Sequence, residues 1–357
     1  MTFRHTARGP LARGASTAGF IAQRLSQRGR LAAELVSAAA PGGPEPPAGS
    51  TSGTARLTLA AGEPWCSSGV NVRAGQAFTV RGSGAIWLQK GLALGLEPRS
   101  ILWVRIGEGQ PVRKLIDNET SFIAWADGPV EVMVKAFRAW SDCCGNQEAA
   151  EPGGRLEGTV DVLVAAWAGD IPDRFAKAAG TGAPDGWAYH WQIGDGRMYQ
   201  PQADGSILID THGDGGILTM PVDVALTPET RISWDWLIES LPSTRPEDIA
   251  PNHDYISVAA EFENGLDLTW MWSAGLPAES VFQCPLPWWC ERETHMVVRS
   301  DPADLGRWCH EQRTISADYA RAIGGPMPAR VVRLWLIAAS VFQRRHGRAQ
   351  VKSLVVG

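Results

Sequence analysis

Short runs of β-branched and aromatic residues, separated by turns, recur along most of this 357-residue chain. Examples before residue 168 are "QAFTVRGSGAIWL" and "LEGTVDVLVAAW", and later examples are "GGILTMPVDV", "RISWDWLIESLP" and "RVVRLWLIAA". Gly, Pro and Asp-Gly turns separate the runs, and few helical patterns interrupt them. Regularly spaced short strands of this kind are typical of sandwiches and jelly rolls. The sequence therefore predicts an all-β fold with two jelly-roll-like β-sandwich domains.

Stretches rich in Pro, Gly and Ser suggest where the domains divide. "PGGPEPPAGSTSG" follows a helical pattern near the N-terminus, and "GTGAPDG" follows a short predicted helix in the middle of the chain. Such composition is typical of linkers. The predicted segments are an N-terminal helix with a linker (1–53), a lectin-like sandwich (54–168), a short helix with a linker (169–184) and a larger jelly roll (185–357).

The N-terminal segment 16–39 has the apolar spacing of an amphipathic helix with Arg on its other faces. The residues assigned to its apolar face are Phe20, Ile21, Leu25, Leu31 and Leu35. A basic amphipathic helix can lie on a membrane surface or on an acidic partner. The other interpretation, which the sequence favours, is a helix packed against its own protein.

Composition excludes several classes of function. The formal net charge of −5 argues against a nucleic-acid-binding protein. No apolar run approaches the roughly 20 residues of a membrane helix, and the Arg-containing start lacks the apolar core of a secretory signal. The six Cys show no zinc-ligand spacing, and Cys284 with Cys290 can pair only in an oxidising compartment. We therefore expect a cytoplasmic location, reduced thiols, and no metal or other cofactor.

A resemblance appears in the first sandwich. "VNVRAGQAFTVRGSG", "ILWVRIG" and "EGTVDVLV" occur in an order that resembles the small calcium-dependent galactose-binding lectins of bacteria, over residues 60–168. The resemblance implies that a loop before the last strand holds calcium, which in turn holds the sugar. Here that loop offers Asp142, Asn146 and Glu148 as oxygen ligands. Calcium takes about six to eight oxygens, so this departure argues against bound calcium.

The second half resembles a bacterial family of unknown function over residues 185–357. "SWDWLIESLP", "HDYISVAAEF", "LTWMWSAGLP" and "GRWCHEQRTISADYARAIGGPMPARV" carry the resemblance, in that order. It implies a jelly-roll sandwich like those of concanavalin-type lectins and glucanases, without an established activity. Family members tend to carry an acidic, Asn-containing segment near the end, where this chain has the basic segment "AASVFQRRHG". A function that depends on those acids is not expected here.

Tryptophan is unusually frequent, with 16 Trp against 4 Tyr. Trp234 with Trp236, and Trp270 with Trp272, are spaced so that each pair shares one face of a strand. Such pairs can form a flat platform for a ring-shaped ligand, or they can fill the core between two sheets. We predict a Trp-lined groove formed by these four residues together with Trp288 and Trp289, which lie in a Pro-rich loop.

Acidic and His side chains are the candidates for catalysis. Glu261 and Glu263 are two apart in a predicted strand, and carboxylates about 5 Å apart are the geometry of retaining glycoside hydrolysis. His253 and Asp254 precede that strand and can supply a base with the group that orients it. These four residues are the predicted catalytic set.

Three functions remain open at this stage. The leading hypothesis is binding of a ring-shaped small molecule, above all a carbohydrate, in the Trp-lined groove. The alternative is an enzyme that uses carboxylate and His acid–base chemistry as a glycan hydrolase or lyase, or as a cyclase or isomerase of a small metabolite. A third is an assembly module that forms homo-oligomers through exposed Trp side chains.

Overall fold

The computed structural model describes most of the chain. The described residues are 8–38, 45–115, 117–135, 156–171, 183–193, 198–286 and 289–357. The chain divides into two compact units. The first comprises Met1–Ile21, Gly182–Gln192 and Gly196–Gly357, and the second comprises Ala22–Thr181 and Ile193–Asp195. We call them the C-terminal unit and the N-terminal unit.

The N-terminal unit is a sandwich of two antiparallel sheets. Its strands are β1 Thr51–Ala60, β2 Cys66–Val72, β3 Ala77–Gln89, β4 Leu94–Leu96, β5 Leu102–Ile106, β6 Arg113–Lys114, β7 Glu119–Ile123, β8 Gly128–Val134 and β9 Glu157–Trp167, and the helix α2 is Pro98–Ile101. One sheet has the order β1-β9-β3-β4 with β7 beside β3, and the other has the order β2-β8-β5-β6. The proposed calcium ligands Asp142, Asn146 and Glu148 lie outside the described residues.

The predicted N-terminal helix is confirmed as α1, Pro10–Ala38. Phe20, Leu31 and Leu35 are buried as expected, but Ile21 and Leu25 are 38% and 55% exposed. Assigning both to the apolar face was therefore wrong. Arg24 is buried instead, and its guanidinium donates to the carbonyl oxygens of Leu92 and Ala93. An Arg that satisfies backbone carbonyls of its own chain favours the packed helix over the surface-bound one.

The C-terminal unit is a second, larger sandwich. Its strands are β10 Ala188–Ile193, β11 Tyr199–Pro201, β12 Ile207–His212, β13 Gly215–Ala225, β14 Arg231–Ser240, β15 Tyr255–Phe262, β16 Asp267–Trp272, β17 Val281–Gln283, β18 Glu293–Arg299, β19 Trp308–Thr314, β20 Arg330–Ala339 and β21 His346–Val356, and the helix α3 is Ile315–Ala322. A seven-stranded sheet has the order β10-β13-β20-β15-β16-β18-β17, and a five-stranded sheet has the order β11-β12-β21-β14-β19. The predicted all-β sandwich architecture is confirmed.

The Trp pairs join the two sheets of this sandwich. β14 belongs to the five-stranded sheet and β16 to the seven-stranded sheet, and the indoles of both strands meet in one core cluster. The ring centroids of Trp234 and Trp270 are 6.1 Å apart, and those of Trp236 and Trp272 are 5.4 Å apart. Tilted aromatic contacts at such distances add to the stabilisation from buried apolar area. The period-two spacing of each pair therefore fixes which face of each sheet points inward.

Two of these indoles differ in how their N–H groups are satisfied. Trp270 Nε1 donates to Asp318 Oδ2 at 2.8 Å, and Arg313 donates to both oxygens of the same carboxylate at 2.7 Å. Trp234 Nε1 is buried without a hydrogen-bond partner among the described residues. The contacts of Asp318 with Trp270 and Arg313 thus attach α3 to the core.

The two indoles provide a matched pair of substitutions. Trp270→Phe removes one of the three hydrogen bonds that Asp318 accepts, whereas Trp234→Phe removes an N–H that has no described partner. We expect Trp270→Phe to lower the free energy of unfolding by about 1 kcal/mol more than Trp234→Phe, because only Trp270→Phe removes a hydrogen bond to a buried carboxylate. Urea unfolding followed by circular dichroism measures the difference, and equal losses would contradict this account.

Candidate functional site

The predicted Trp-lined groove is not formed by the paired indoles. Trp234, Trp236 and Trp270 are 0% exposed and Trp272 is 1% exposed, because their strand faces point into the space between the sheets. The prediction that these four side chains line a groove reachable by a ligand is therefore wrong. Of the remaining pair, Trp288 lies outside the described residues, and Trp289 is half-buried on the other side of the seven-stranded sheet.

We call that other side of the seven-stranded sheet the outer face, and it carries acidic side chains of β15, β16 and β18. In β15, Ile256, Val258 and Ala260 belong to the core cluster, whereas Tyr255 and Ala259 belong to a separate cluster on the outer face. Successive side chains of a strand point to opposite faces of the sheet, which accounts for this division. Outer-face side chains from neighbouring strands then meet one another in register.

Three carboxylates follow one another across the outer face. Glu261 of β15 pairs in register with Asp267 of β16, and Asp267 pairs with Glu293 of β18. Arg333 of β20 lies in register with Glu261 and donates to its Oε1 at 2.8 Å. Arg292 contacts Asp267 Oδ2 at 3.3 Å, so basic side chains compensate part of this negative charge.

Three aromatic rings, those of His190, Trp289 and Trp335, lie beside this row of carboxylates. Trp335 is fully buried and donates from Nε1 to Glu261 Oε2 at 3.1 Å. The His190 ring lies 5.3 Å from Trp335, and the Trp289 ring lies 6.1 Å from both. The Arg292 guanidinium lies 5.1 Å from the Trp335 ring centroid and 5.4 Å from that of Trp289. We call His190, Glu261, Trp289, Arg292 and Trp335 the aromatic site.

Arg292 is the least tightly held charge of the aromatic site. Its Nη2 lies 3.4 Å from Glu261 Oε1, and within the described part of the chain this buried nitrogen makes no hydrogen bond. Charge-assisted hydrogen bonds of full strength are shorter, about 2.7–2.9 Å. One donor of this guanidinium therefore has no hydrogen-bond partner among the described residues.

The two predicted catalytic carboxylates, those of Glu261 and Glu263, bond to different groups. Glu261 belongs to the aromatic site, but β15 ends at Phe262 with a register shift between these two residues. Glu263 is exposed beyond the strand end, and its Oε1 accepts from the Ala329 backbone N at 2.8 Å. The strand alternation assumed for the two acids does not continue past the irregularity.

Asp254 holds a loop and does not orient His253. Its carboxylate accepts from the backbone N–H groups of Phe342 and Gln343, at 2.9 and 2.6 Å. His253 uses Nδ1 instead to contact the carbonyl oxygen of Glu247, at 2.9 Å. The predicted pairing of this base with Asp254 as its orienting group is therefore wrong, because neighbouring residues direct their side chains differently.

His253 lies in a buried cluster that spacing along the sequence did not predict. Its metal-ligating atom, and those of Cys284, Glu293 and His295, all lie within 4.8 Å of one another. Burial lowers the pKa of His253 to about 3, so its ring is neutral near neutral pH, and burial raises the pKa of the Cys284 thiol. We call these four residues the His/Cys/Glu cluster.

One local signal for the cluster exists in the sequence. Glu293 and His295 are two apart in a strand, which places two potential ligands on one face. The other two members come from different strand ends, and only the fold brings them close. None of the described cysteines Cys66, Cys284, Cys290 and Cys309 forms a disulfide, so Cys284 is not bridged to Cys290.

Comparison with known proteins agrees with the resemblance noted for the second half. Residues 192–355 match a family described as "Protein of unknown function (DUF3047)". No curated protein matches the chain significantly. Among the described residues, no helix is long and apolar enough to cross a membrane.

Solved structures with detectable likeness include a xyloglucanase domain and a tandem CBM22 domain. A xyloglucanase domain of NopAA, a type three effector from Sinorhizobium fredii, in complex with cellobiose, is 9% identical, with a TM-score of 0.31 over 50% of this chain and 95% of that one. A tandem CBM22 domain of Paenibacillus barcinonensis Xyn10C is 10% identical, with a TM-score of 0.24 over 86% of this chain and 92% of that one. Likeness at this level carries no argument about ligand or activity.

The loop-holding role of Asp254 leads to a stability prediction. In Asp254→Asn only one oxygen remains to accept the two N–H groups, and the new amide N–H₂ faces a donor. We expect a loss of about 1–3 kcal/mol, the cost of leaving a buried donor unsatisfied. Asp235→Asn is the control, since Asp235 forms a more exposed pair with His310 and should lose less than about 1 kcal/mol. Chemical unfolding compares the two, and equal losses would argue against the assigned role.

Proposed function

We propose that the C-terminal unit binds a ring-shaped organic ligand of the carbohydrate class at the aromatic site. The observation that carries the proposal is the half-buried Trp289 beside Trp335 and His190, with Arg292 next to these rings. Indole faces pack against the apolar faces of sugar rings, and a few polar groups then fix the orientation of the ligand. The aromatic site offers both kinds of contact within one small area.

The polar groups suit hydroxyl recognition. Arg292 Nη2 can donate to a ligand oxygen, and Glu261 can accept from a hydroxyl once its contact with Arg292 rearranges. Glu261 also accepts hydrogen bonds from Trp335 Nε1 and Arg333. Its carboxylate is therefore already oriented in the absence of ligand. A preorganised acceptor reduces the entropy that ligand binding costs.

We further propose that this function operates in the cytoplasm, where thiols are kept reduced. A pair such as Cys284 and Cys290, only six positions apart, would be open to oxidation in a secreted protein. Reducing conditions are therefore the appropriate ones for the binding experiments below.

A second candidate function is acid–base catalysis on the same ligand. The pairing of Glu261 with Asp267 favours it, because directly opposed residues have Cβ atoms about 4.5–5.5 Å apart, close to the carboxyl separation of retaining glycosidases. Arg292 contacts both carboxylates, which favours binding over catalysis. Turnover of a glycan by the chain, lost in Glu261→Gln and Asp267→Asn, would establish the enzyme, and absence of turnover would leave the binding function alone.

Trp289→Ala tests the binding proposal directly. We expect titration calorimetry against a glycan panel to identify a ligand, and Trp289→Ala to weaken its binding about tenfold or more, because loss of a stacking partner removes about 1.4 kcal/mol or more. Trp308→Ala is the matched control. Trp308 is exposed on β19 of the five-stranded sheet, under Lys352, and its loss should leave affinity unchanged. No heat with any glycan, or equal effects of both variants, would reject the proposal.

A further inference from the structure

The His/Cys/Glu cluster is assembled from three strand ends of the seven-stranded sheet. His253 lies in the turn before β15, Cys284 directly follows β17, and Glu293 and His295 belong to β18. The backbone N–H of Cys284 donates to the carbonyl oxygen of Glu293 at 3.0 Å, which holds the edge strand in register. All four side chains are buried.

The distances between the ligating atoms suit one small cation. His253 Nε2 and Cys284 Sγ are 3.5 Å apart, and His295 Nε2 and Glu293 Oε1 are also 3.5 Å apart. In a tetrahedral zinc site, with bonds of about 2.0–2.3 Å, ligand atoms are separated by about 3.3–3.6 Å. The largest separation in the cluster, 4.8 Å, exceeds that range by about 1.2 Å, so the side chains would have to close around a bound ion.

His295 supplies an independent sign that a partner belongs in this cluster. Its side chain is 0% exposed, and neither ring nitrogen makes a hydrogen bond within the described residues. The ring is stacked on Phe282, with centroids 4.9 Å apart and planes inclined by 10°, so its orientation is fixed. Leaving a buried polar group without a partner is destabilising, and a cation bound at Nε2 would give that nitrogen a partner.

Neighbouring groups orient the other ligands in the way that metal sites require. His253 Nδ1 lies 2.9 Å from the Glu247 carbonyl oxygen, which selects the tautomer with its free lone pair on Nε2, toward Cys284. The Tyr255 hydroxyl donates to Glu293 Oε1 at 3.0 Å. Carbonyl and hydroxyl partners of this kind are the usual second layer of contacts around a bound metal.

We propose that His253, Cys284, Glu293 and His295 bind one divalent cation of the zinc class. Nitrogen, sulfur and oxygen donors in a four-ligand set suit Zn²⁺ better than Mg²⁺ or Ca²⁺, which prefer oxygen alone. Two neutral imidazoles, one thiolate and one carboxylate also balance the two positive charges, so the buried site becomes neutral. Four protein ligands leave no open position, and this closure defines a structural site.

The bound cation would fasten the segment between Cys284 and Glu293 at both of its ends. That segment carries Trp289 and Arg292 of the aromatic site. It also attaches the three-residue edge strand β17 to the rest of the sheet, in a part of the fold that otherwise has few ladder hydrogen bonds. We therefore expect the cation to stabilise the C-terminal unit.

Zinc and cobalt binding to the full chain tests the proposal. After purification in reducing buffer and dialysis, elemental analysis should find about one zinc per chain. Replacement of zinc by Co²⁺ should give the thiolate-to-cobalt charge-transfer absorption of a Cys ligand. Adding Zn²⁺ to the metal-free chain should raise its melting temperature, because a ligand that binds only the folded state stabilises it.

Matched variants locate the site. Cys284→Ala should abolish the charge-transfer band and weaken zinc binding about tenfold or more, and His295→Gln should weaken it similarly. Cys309→Ala and His310→Gln are the controls, since both residues lie on β19 outside the cluster. Circular dichroism of the metal-free variants distinguishes loss of a ligand from loss of the fold.

The proposal is overturned by any of three results. The chain shows no zinc and no zinc-dependent rise in melting temperature, or Cys284→Ala and His295→Gln bind zinc as the unmodified chain does. The third is loss of binding on His346→Gln, which would place the cation at the surface pair of His212 and His346, whose rings are 6.3 Å apart. None of these measurements involves a glycan, so they are independent of the binding function proposed above.

Discussion

The contacts of Trp234 with Trp270 and of Trp236 with Trp272 connect the two sheets of the C-terminal unit, and the rest of that unit depends on them. Each indole buries a large apolar area, and each pair lies on one strand face because side chains alternate along a strand. Once these faces point inward, every intervening residue of β14 and β16 must point outward. Asp235 accordingly pairs with His310 on the exposed side, and Thr269 faces away from the core cluster. The position of the indoles thus determines where polar side chains can gather.

On the seven-stranded sheet, the outer face carries a row of acidic side chains. Register brings Glu261, Asp267 and Glu293 into one row, and the segment after β17 carries Trp289 and Arg292 to the same face. Buried carboxylates are costly unless positive charge or hydrogen-bond donors accompany them. Arg292 and Arg333 supply that charge around Glu261 and Asp267, and Tyr255 donates to Glu293. A cation in the His/Cys/Glu cluster would complete the same compensation at the other end of the row.

The sequence was sufficient to predict the architecture and only part of the site. Period-two patterns in β14 and β16 predicted strands with paired indoles, and helical spacing predicted α1. The patterns do not tell which face of a strand meets the second sheet, and the Trp pairs were therefore assigned to a groove when they fill the core. Glu263 was paired with Glu261 because a register shift at the end of β15 is not visible in the sequence. The His/Cys/Glu cluster was missed because its members come from three separate strand ends, and only Glu293 and His295 are close in sequence.

Anomalous diffraction at the zinc absorption edge, from crystals of the full chain grown with zinc, tests the central claim most directly. That claim is that the indoles fill the space between the sheets while the chemistry collects on the outer face. The account predicts one strong anomalous peak within bonding distance of His253, Cys284, Glu293 and His295, with Trp234 and Trp270 in contact in the core. A map with no peak there, or with those indoles open to solvent, would contradict it.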